Sequence, residues 1–221
     1  MNHDPDVPGP PPGAPRSGVT RRSFIQTLGV SAAATALAEH ASGAAESRRS
    51  ADGPQILGPD PVEVTLRING QDMKATIDPS ATLLEVLRLD FDLTGSKEVC
   101  DRGSCGGCSV LLNGKLIVSC MMLAVDAIGA EITTVEGLEK DGKLDAVQEA
   151  FIKHDAMQCG YCTPGLVMAT RWLLNEAPKP TLDEIKKYLS GNICRCGTYS
   201  NVFNAALEAS GQPPILDAKG A

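Results

Sequence analysis

The eight cysteines are the residues best equipped for chemistry, and their spacing is informative. Cys100, Cys105, Cys108 and Cys120 run as C-x4-C-x2-C-x11-C within CDRGSCGGCSVLLNGKLIVSC. Cys159 and Cys162 form C-x2-C in QCGYCTPG, and Cys194 and Cys196 form C-x-C in NICRC. C-x4-C-x2-C followed by a distant cysteine is the plant-type [2Fe–2S] spacing. Gly103, Gly106 and Gly107 open backbone conformations closed to residues with a Cβ, so the loop can wrap a cluster and aim N–H groups at sulfur. The competing readings are a disulfide knot and a redox dithiol at Cys105 and Cys108. A zinc ribbon would want paired C-x2-C knuckles, and Cys100–Cys105 is not one.

The flanking elements show what must hold this loop. VEVTLRI alternates Val62, Val64, Leu66 and Ile68 as a half-buried strand. Asn69–Gly70 signals a tight hairpin, with Met73, Ala75 and Ile77 lining the return strand. Thr82 and Glu85 form a capping box for a short helix carrying Leu83, Leu84, Val86 and Leu87. A second hairpin turns at Asn113–Gly114, and a last strand falls near AEITTVEG. This order resembles a β-grasp ferredoxin over residues 61–137.

Beyond Gly142 the period becomes helical. Leu144, Val147 and Phe151 are expected on one face of a first helix. The second begins with Thr163 as N-cap and Pro164 at the first helical position. The third has a Thr181–Glu184 capping box and ends at Gly191, and the fourth ends at Gly211. Cys159 and Cys162 then lie between the first two helices, and Cys194 and Cys196 between the last two. Laying two helical hairpins side by side closes a four-thiolate site. Zinc satisfies the ligand count, as do disulfides, but a one-residue gap strains both thiolates of C-x-C onto one ion. Two irons can share them.

Charge and composition narrow the function. A net charge of −7, with the first 45 residues neutral in sum, leaves no basic excess for a phosphate backbone and argues against nucleic acid. No Ser/His/Asp set or phosphate-cradling loop stands out. His3, His40 and His154 are scattered, so a Rieske centre lacks its two histidines. His154 reads as a helix-surface residue, Trp172 as core, and EKDGKLD as a solvated linker. The segment TRRSFIQTLGVSAAATALA resembles a twin-arginine export signal at Arg21–Arg22 with Phe24. It is too short and too rich in small residues for a stable membrane span. That resemblance implies export of a folded, cofactor-loaded protein to the periplasm.

Taken together, CDRGSCGGCSV, QCGYCTPG and GNICRCGTY resemble the iron–sulfur subunit of the molybdenum hydroxylases, a family that includes xanthine dehydrogenases, aldehyde oxidoreductases and aerobic carbon monoxide dehydrogenases. With the leader, the likeness points toward periplasmic aldehyde oxidation. It covers about residues 61–211 and places all eight cysteines. It implies an α+β chain: an N-terminal β-grasp [2Fe–2S] ferredoxin domain with Cys100, Cys105, Cys108 and Cys120, and a C-terminal four-helix-bundle [2Fe–2S] domain with Cys159, Cys162, Cys194 and Cys196. The expected boundaries are 1–45 for extension and signal, 46–60 linker, 61–137 first domain, 138–143 linker, 144–211 second domain and 212–221 tail. By the same resemblance, a large subunit carries molybdopterin and oxidises the aldehyde, and a medium subunit carries FAD. Gln158 is expected to bond the pterin, with Cys196 beside it on the electron path. Other readings are an N-heteroaromatic or carbon monoxide dehydrogenase, a free-standing ferredoxin, and a disulfide-rich exported binding module.

Overall fold

Among the described residues, five strands and five α-helices are built from the two periodicities described above. The computed structural model describes residues 57–214. The arginine pair Arg21–Arg22, the rest of the N-terminal extension, linker residues 46–56 and tail residues 215–221 lie outside the described residues.

β1 (Val62–Ile68) and β2 (Gln71–Ile77) pair antiparallel, with Ile68 opposite Gln71. Asn69 and Gly70 both take positive φ, 53° and 79°, the conformation a two-residue hairpin of matching twist demands. Asn69 also ties the turn down. Its Oδ1 accepts from the Thr134 N–H at 2.9 Å and its Nδ2 donates to Thr134 Oγ1 at 3.0 Å. Helix α1 (Leu83–Leu89) follows, with the Thr82–Glu85 capping box formed.

β3 (Ser109–Leu112) and β4 (Lys115–Val118) make the second hairpin, and β5 (Glu131–Thr133) enters between the hairpins. The sheet order is β2-β1-β5-β3-β4, with β5 parallel to β1 and antiparallel to β3. One face is packed by Leu66, Ile68, Leu83, Leu87, Val110 and Ile132. The 140s segment makes a small turn of its own, with Lys140 and Lys143 exchanging backbone hydrogen bonds across Asp141–Gly142.

Helices α2 (Ala146–Lys153), α3 (Thr163–Glu176), α4 (Leu182–Tyr188) and α5 (Tyr199–Ala209) surround a second core that includes Phe151, Leu166, Met168, Leu173, Ile185 and Leu207. Strand alternation joins the two cores. Val110 of β3 points into the sheet core, whereas its neighbour Leu111 belongs to the helical core, where α3 packs on β3. The described residues therefore fall within one compact unit.

Several local expectations are corrected. Leu144 is exposed, because it precedes the N-cap Asp145 and so lies outside the register of α2. That N-cap forms a capping box with Gln148, a D-x-x-Q signal readable in sequence but missed. Cys162, not Thr163, is the N-cap of α3, since its carbonyl accepts from the Leu166 N–H. Helix α4 ends with Leu189 as C-cap, so Gly191 lies beyond its terminus. His154 is no surface residue. It caps α2 and its ring is largely covered where it meets Glu208 of α5. Trp172 is only partly buried, edge-on to Tyr188.

Candidate metal centres

The first cysteine group is built by an irregular loop between α1 and the β3–β4 hairpin. Gly103 and Gly106 hold φ of 71° and 70°, the left-handed region that a side chain would strain. This turns the Gly103 N–H onto Cys120 Sγ at 3.3 Å and the Gly107 N–H toward Cys105 Sγ at 3.5 Å. Cys108 is fixed through its carbonyl, which accepts from the Ser119 hydroxyl at 2.8 Å and the Ser119 N–H at 3.3 Å. Cys108 and Cys120 are buried beside Leu84.

The thiols in this group meet two by two. Cys100 is drawn down to about 7 by the Arg102 N–H and then by its hydrogen bond with Cys105. Burial pushes Cys105 up. Burial raises Cys120 to about 11, with the Cys108 thiol adding to it.

The second group repeats the arrangement with different tools. Cys159 is lowered by the Tyr161 N–H and then by the Cys196 thiol. A backbone bond from Cys159 favours the Cys196 thiolate, but the Cys159 thiol, some loss of solvation and the charges of Cys159 and Cys194 outweigh it, so Cys196 is raised. Burial pushes Cys162 up to about 12, and the neighbouring Cys194 adds to that. Cys194 is itself buried, yet the Thr198 hydroxyl and N–H overcome burial and hold it at about 7. The hydroxyl lies 3.2 Å from Cys194 Sγ. Beside Cys162, the Thr163 hydroxyl oxygen is buried without a hydrogen-bond partner.

So all eight cysteines fall into the two groups expected from sequence, and none is in a disulfide. Among the described residues no set of three or more His, Cys, Asp or Glu is drawn together as around one metal ion. The pairs are Cys100 with Cys105, Cys108 with Cys120, Cys159 with Cys196, and Cys162 with Cys194. Two irons taking two thiolates each suit that pairing. Backbone N–H groups aimed at sulfur, a glycine-lined loop and an orphaned hydroxyl all fit a bound anionic cluster. Metal binding would expel the protons that the raised thiols keep.

Between the two groups lies an apolar crevice of ≈ 190 Å³ lined by Val99, Cys105, Cys159, Tyr161, Cys162 and Ile193. At its edge the Ile193 N–H donates to the Cys105 carbonyl at 2.9 Å. Gln158, expected at a pterin, is exposed, as are its neighbours Met157 and Cys159. Sequence reasoning missed Asn192, Thr198 and Tyr199, which contact the cysteines or their loops; the only signal was their place around the C-x-C pair.

Residues 134–207 match the family described as a [2Fe-2S] binding domain. The chain belongs to the iron–sulfur subunits of the molybdenum hydroxylases. It is 40% identical over 209 residues to the aldehyde oxidoreductase iron-sulfur-binding subunit PaoA of Escherichia coli K12, covering 88% of this chain and 89% of that one. It is 44% identical over 153 residues to the nicotine 6-hydroxylase small subunit of Paenarthrobacter nicotinovorans, covering 69% of this chain and 92% of the relative. Among solved structures, quinoline 2-oxidoreductase from Pseudomonas putida 86 superposes with a TM-score of 0.65 at 38% identity, over 71% of this chain and 99% of that one. Aldehyde oxidoreductase from Desulfovibrio gigas gives 0.64 at 33% identity over 68% of this chain, but only 17% of that much longer chain. The protein is thus an electron-transfer subunit of a redox enzyme of this family. No helix among the described residues is long and apolar enough to cross a membrane.

Proposed function

We propose that this chain conducts electrons within a heterotrimeric aldehyde oxidoreductase, from a molybdopterin-bearing large subunit to a FAD-bearing medium subunit. The observation carrying the reading is the meeting of eight free cysteines in four pairs, two in each lobe, with Cys105, Cys159 and Cys162 lining one crevice between the lobes. Identity to PaoA over most of both chains favours an aldehyde substrate for the complex. The five-stranded sheet with its crossing helix supports a β-grasp ferredoxin domain over 61–137, and the separate helical core supports a second domain over 144–211.

In this reading Cys100, Cys105, Cys108 and Cys120 hold one [2Fe–2S] cluster, and Cys159, Cys162, Cys194 and Cys196 hold the other. Each cluster supplies a site that accepts and returns one electron. The chain's own residues do the rest. Gly103 and Gly107 turn N–H dipoles to sulfur, which favours added negative charge. Thr198 does the same with a hydroxyl. Val99, Tyr161 and Ile193, each about half exposed, line the space between the groups together with Arg195. The exposed Gln158 and Cys196 form the face offered to the pterin of the large subunit.

Export through the twin-arginine route completes the proposal, with Arg21 and Arg22 as its signal. Purification from fractionated cells should give a three-subunit periplasmic complex containing molybdenum, pterin, FAD and about four irons for this chain. Iron-free, disulfide-linked protein would refute the conductor role. Replacing Arg21 and Arg22 together by lysine should strand the complex in the cytoplasm, and normal export would remove the leader assignment.

A further inference from the structure

The two thiol groups are tied together at a point that contains no cysteine side chain. Gly106 follows Cys105 in the first loop, Gly165 lies three residues past Cys162, and Asn192 lies two before Cys194. Asn192 is buried, at 5% exposure, although the residues on either side of it are exposed. Its Nδ2 donates to the Gly106 carbonyl at 2.9 Å and to Ser109 Oγ at 3.4 Å. Ser109 Oγ in turn donates to the same carbonyl at 2.8 Å.

The contact leaves no slack. A Cβ on Gly165 would stand 2.2 Å from the Gly106 oxygen, and one on Gly106 would stand 2.5 Å from Asn192 Nδ2. On its other side Asn192 leads to the second group. Its carbonyl accepts from the Tyr199 hydroxyl at 3.3 Å, and that hydroxyl oxygen accepts from the Cys194 N–H at 2.8 Å.

We propose that Asn192 is a positioning residue that sets the separation and relative orientation of the two metal centres. The proposal rests on the two-cluster reading above. Beyond the packing of α3 on β3, the Ile193–Cys105 backbone bond joins the two cysteine loops directly. The Asn192–Gly106 bond is a second direct attachment between them, and two attachments fix an orientation more closely than one. Electron tunnelling falls steeply with separation, so a loosened junction harms transfer even when both centres are intact. Sites of this kind need their supporting shell held to about 0.5 Å. The amide is specific to the task. Aspartate has the same shape but no donor, and it would set an anionic oxygen against a carbonyl already engaged by Ser109.

The test uses the full chain with its clusters, reduced with dithionite, which adds one electron to each centre without making or breaking a bond. Low-temperature paramagnetic resonance reads the magnetic splitting between the two reduced centres, which depends on their distance and orientation. Iron content is measured on the same samples. Asn192→Asp and Asn192→Ala are compared with the unaltered chain. The expected result is full iron, both signals retained, and a narrowed or lost splitting in both variants. An unchanged splitting in either iron-replete variant overturns the proposal. Loss of iron from both variants also overturns it, because Asn192 would then serve cluster loading rather than spacing. Absence of two signals from the unaltered chain would instead sink the two-cluster reading itself.

Discussion

The two cysteine groups solve one problem with different materials. In the sheet lobe, the sulfurs are approached by backbone N–H groups, from Gly103 to Cys120 and from Gly107 to Cys105, along a loop bent through positive φ. In the helical lobe, a side-chain hydroxyl, Thr198, reaches Cys194, and a second, Thr163, sits buried beside Cys162. Backbone N–H groups serve both lobes, since Tyr161 and Thr198 turn theirs toward Cys159 and Cys194. Both groups sit in loops, where N–H groups are not committed to a helix ladder. What differs is that the sheet-lobe loop bends through glycine conformation, whereas the helical lobe adds a substitutable side-chain hydroxyl.

The sharpest way to break the comparison is to remove one thiolate from each lobe. Cys120→Ser should cost about two of about four irons and erase one paramagnetic signal, and Cys162→Ser should erase the other. If either single change abolished both signals, the lobes would not load independently. A smaller effect is expected from Gly103→Ala, which forces a Cβ into a φ of 71° and to 2.9 Å from the flexible Met121 side chain. Thermal unfolding should register about 1–2 kcal/mol of destabilisation, and only the sheet-lobe signal should shift.

Thr198→Val tests the other half. It keeps the shape and removes the hydroxyl at Cys194. Losing one hydrogen bond that favours the reduced state should lower the potential of the helical-lobe signal by about 20–60 mV, the equivalent of about 0.5–1.4 kcal/mol for one electron. Redox titration should show the sheet-lobe potential unmoved. The smallest effect belongs to Glu208 of α5, whose carboxyl is held below its usual range by Lys153 and then by His154, both at the end of α2. A carboxylate depressed in the folded state adds stability above its unfolded pKa, about 4.3. That contribution fades as pH falls below this value toward the folded one. Glu208→Gln should flatten the acid limb of the stability profile and leave both signals as they were.

Much of the helical lobe could be read before any fold was known. The Thr181–Glu184 box formed, as did the Thr82–Glu85 box in the sheet lobe, because a capping box is satisfied within four residues. Both Asn–Gly turns took positive φ for the same local reason. Errors arose where a neighbour in space outweighed a neighbour in sequence. His154 is covered because α5 brings Glu208 to it, 54 residues away. Thr163 surrendered the cap because the backbone enters α3 one residue earlier, at Cys162.

By itself the sequence determined which thiols are candidate metal ligands and which local turns present them, since cysteine spacing and glycine placement act over a few residues of chain. It did not show that Leu111 leaves the sheet core for the helical one, or that Asn192 reaches 86 residues back to the Gly106 carbonyl. Those contacts join segments whose separation along the chain carries no pattern. Packing α3 against β3 buries apolar surface that neither lobe could bury alone, and it brings the two cysteine loops close enough for contacts such as Asn192–Gly106 to form.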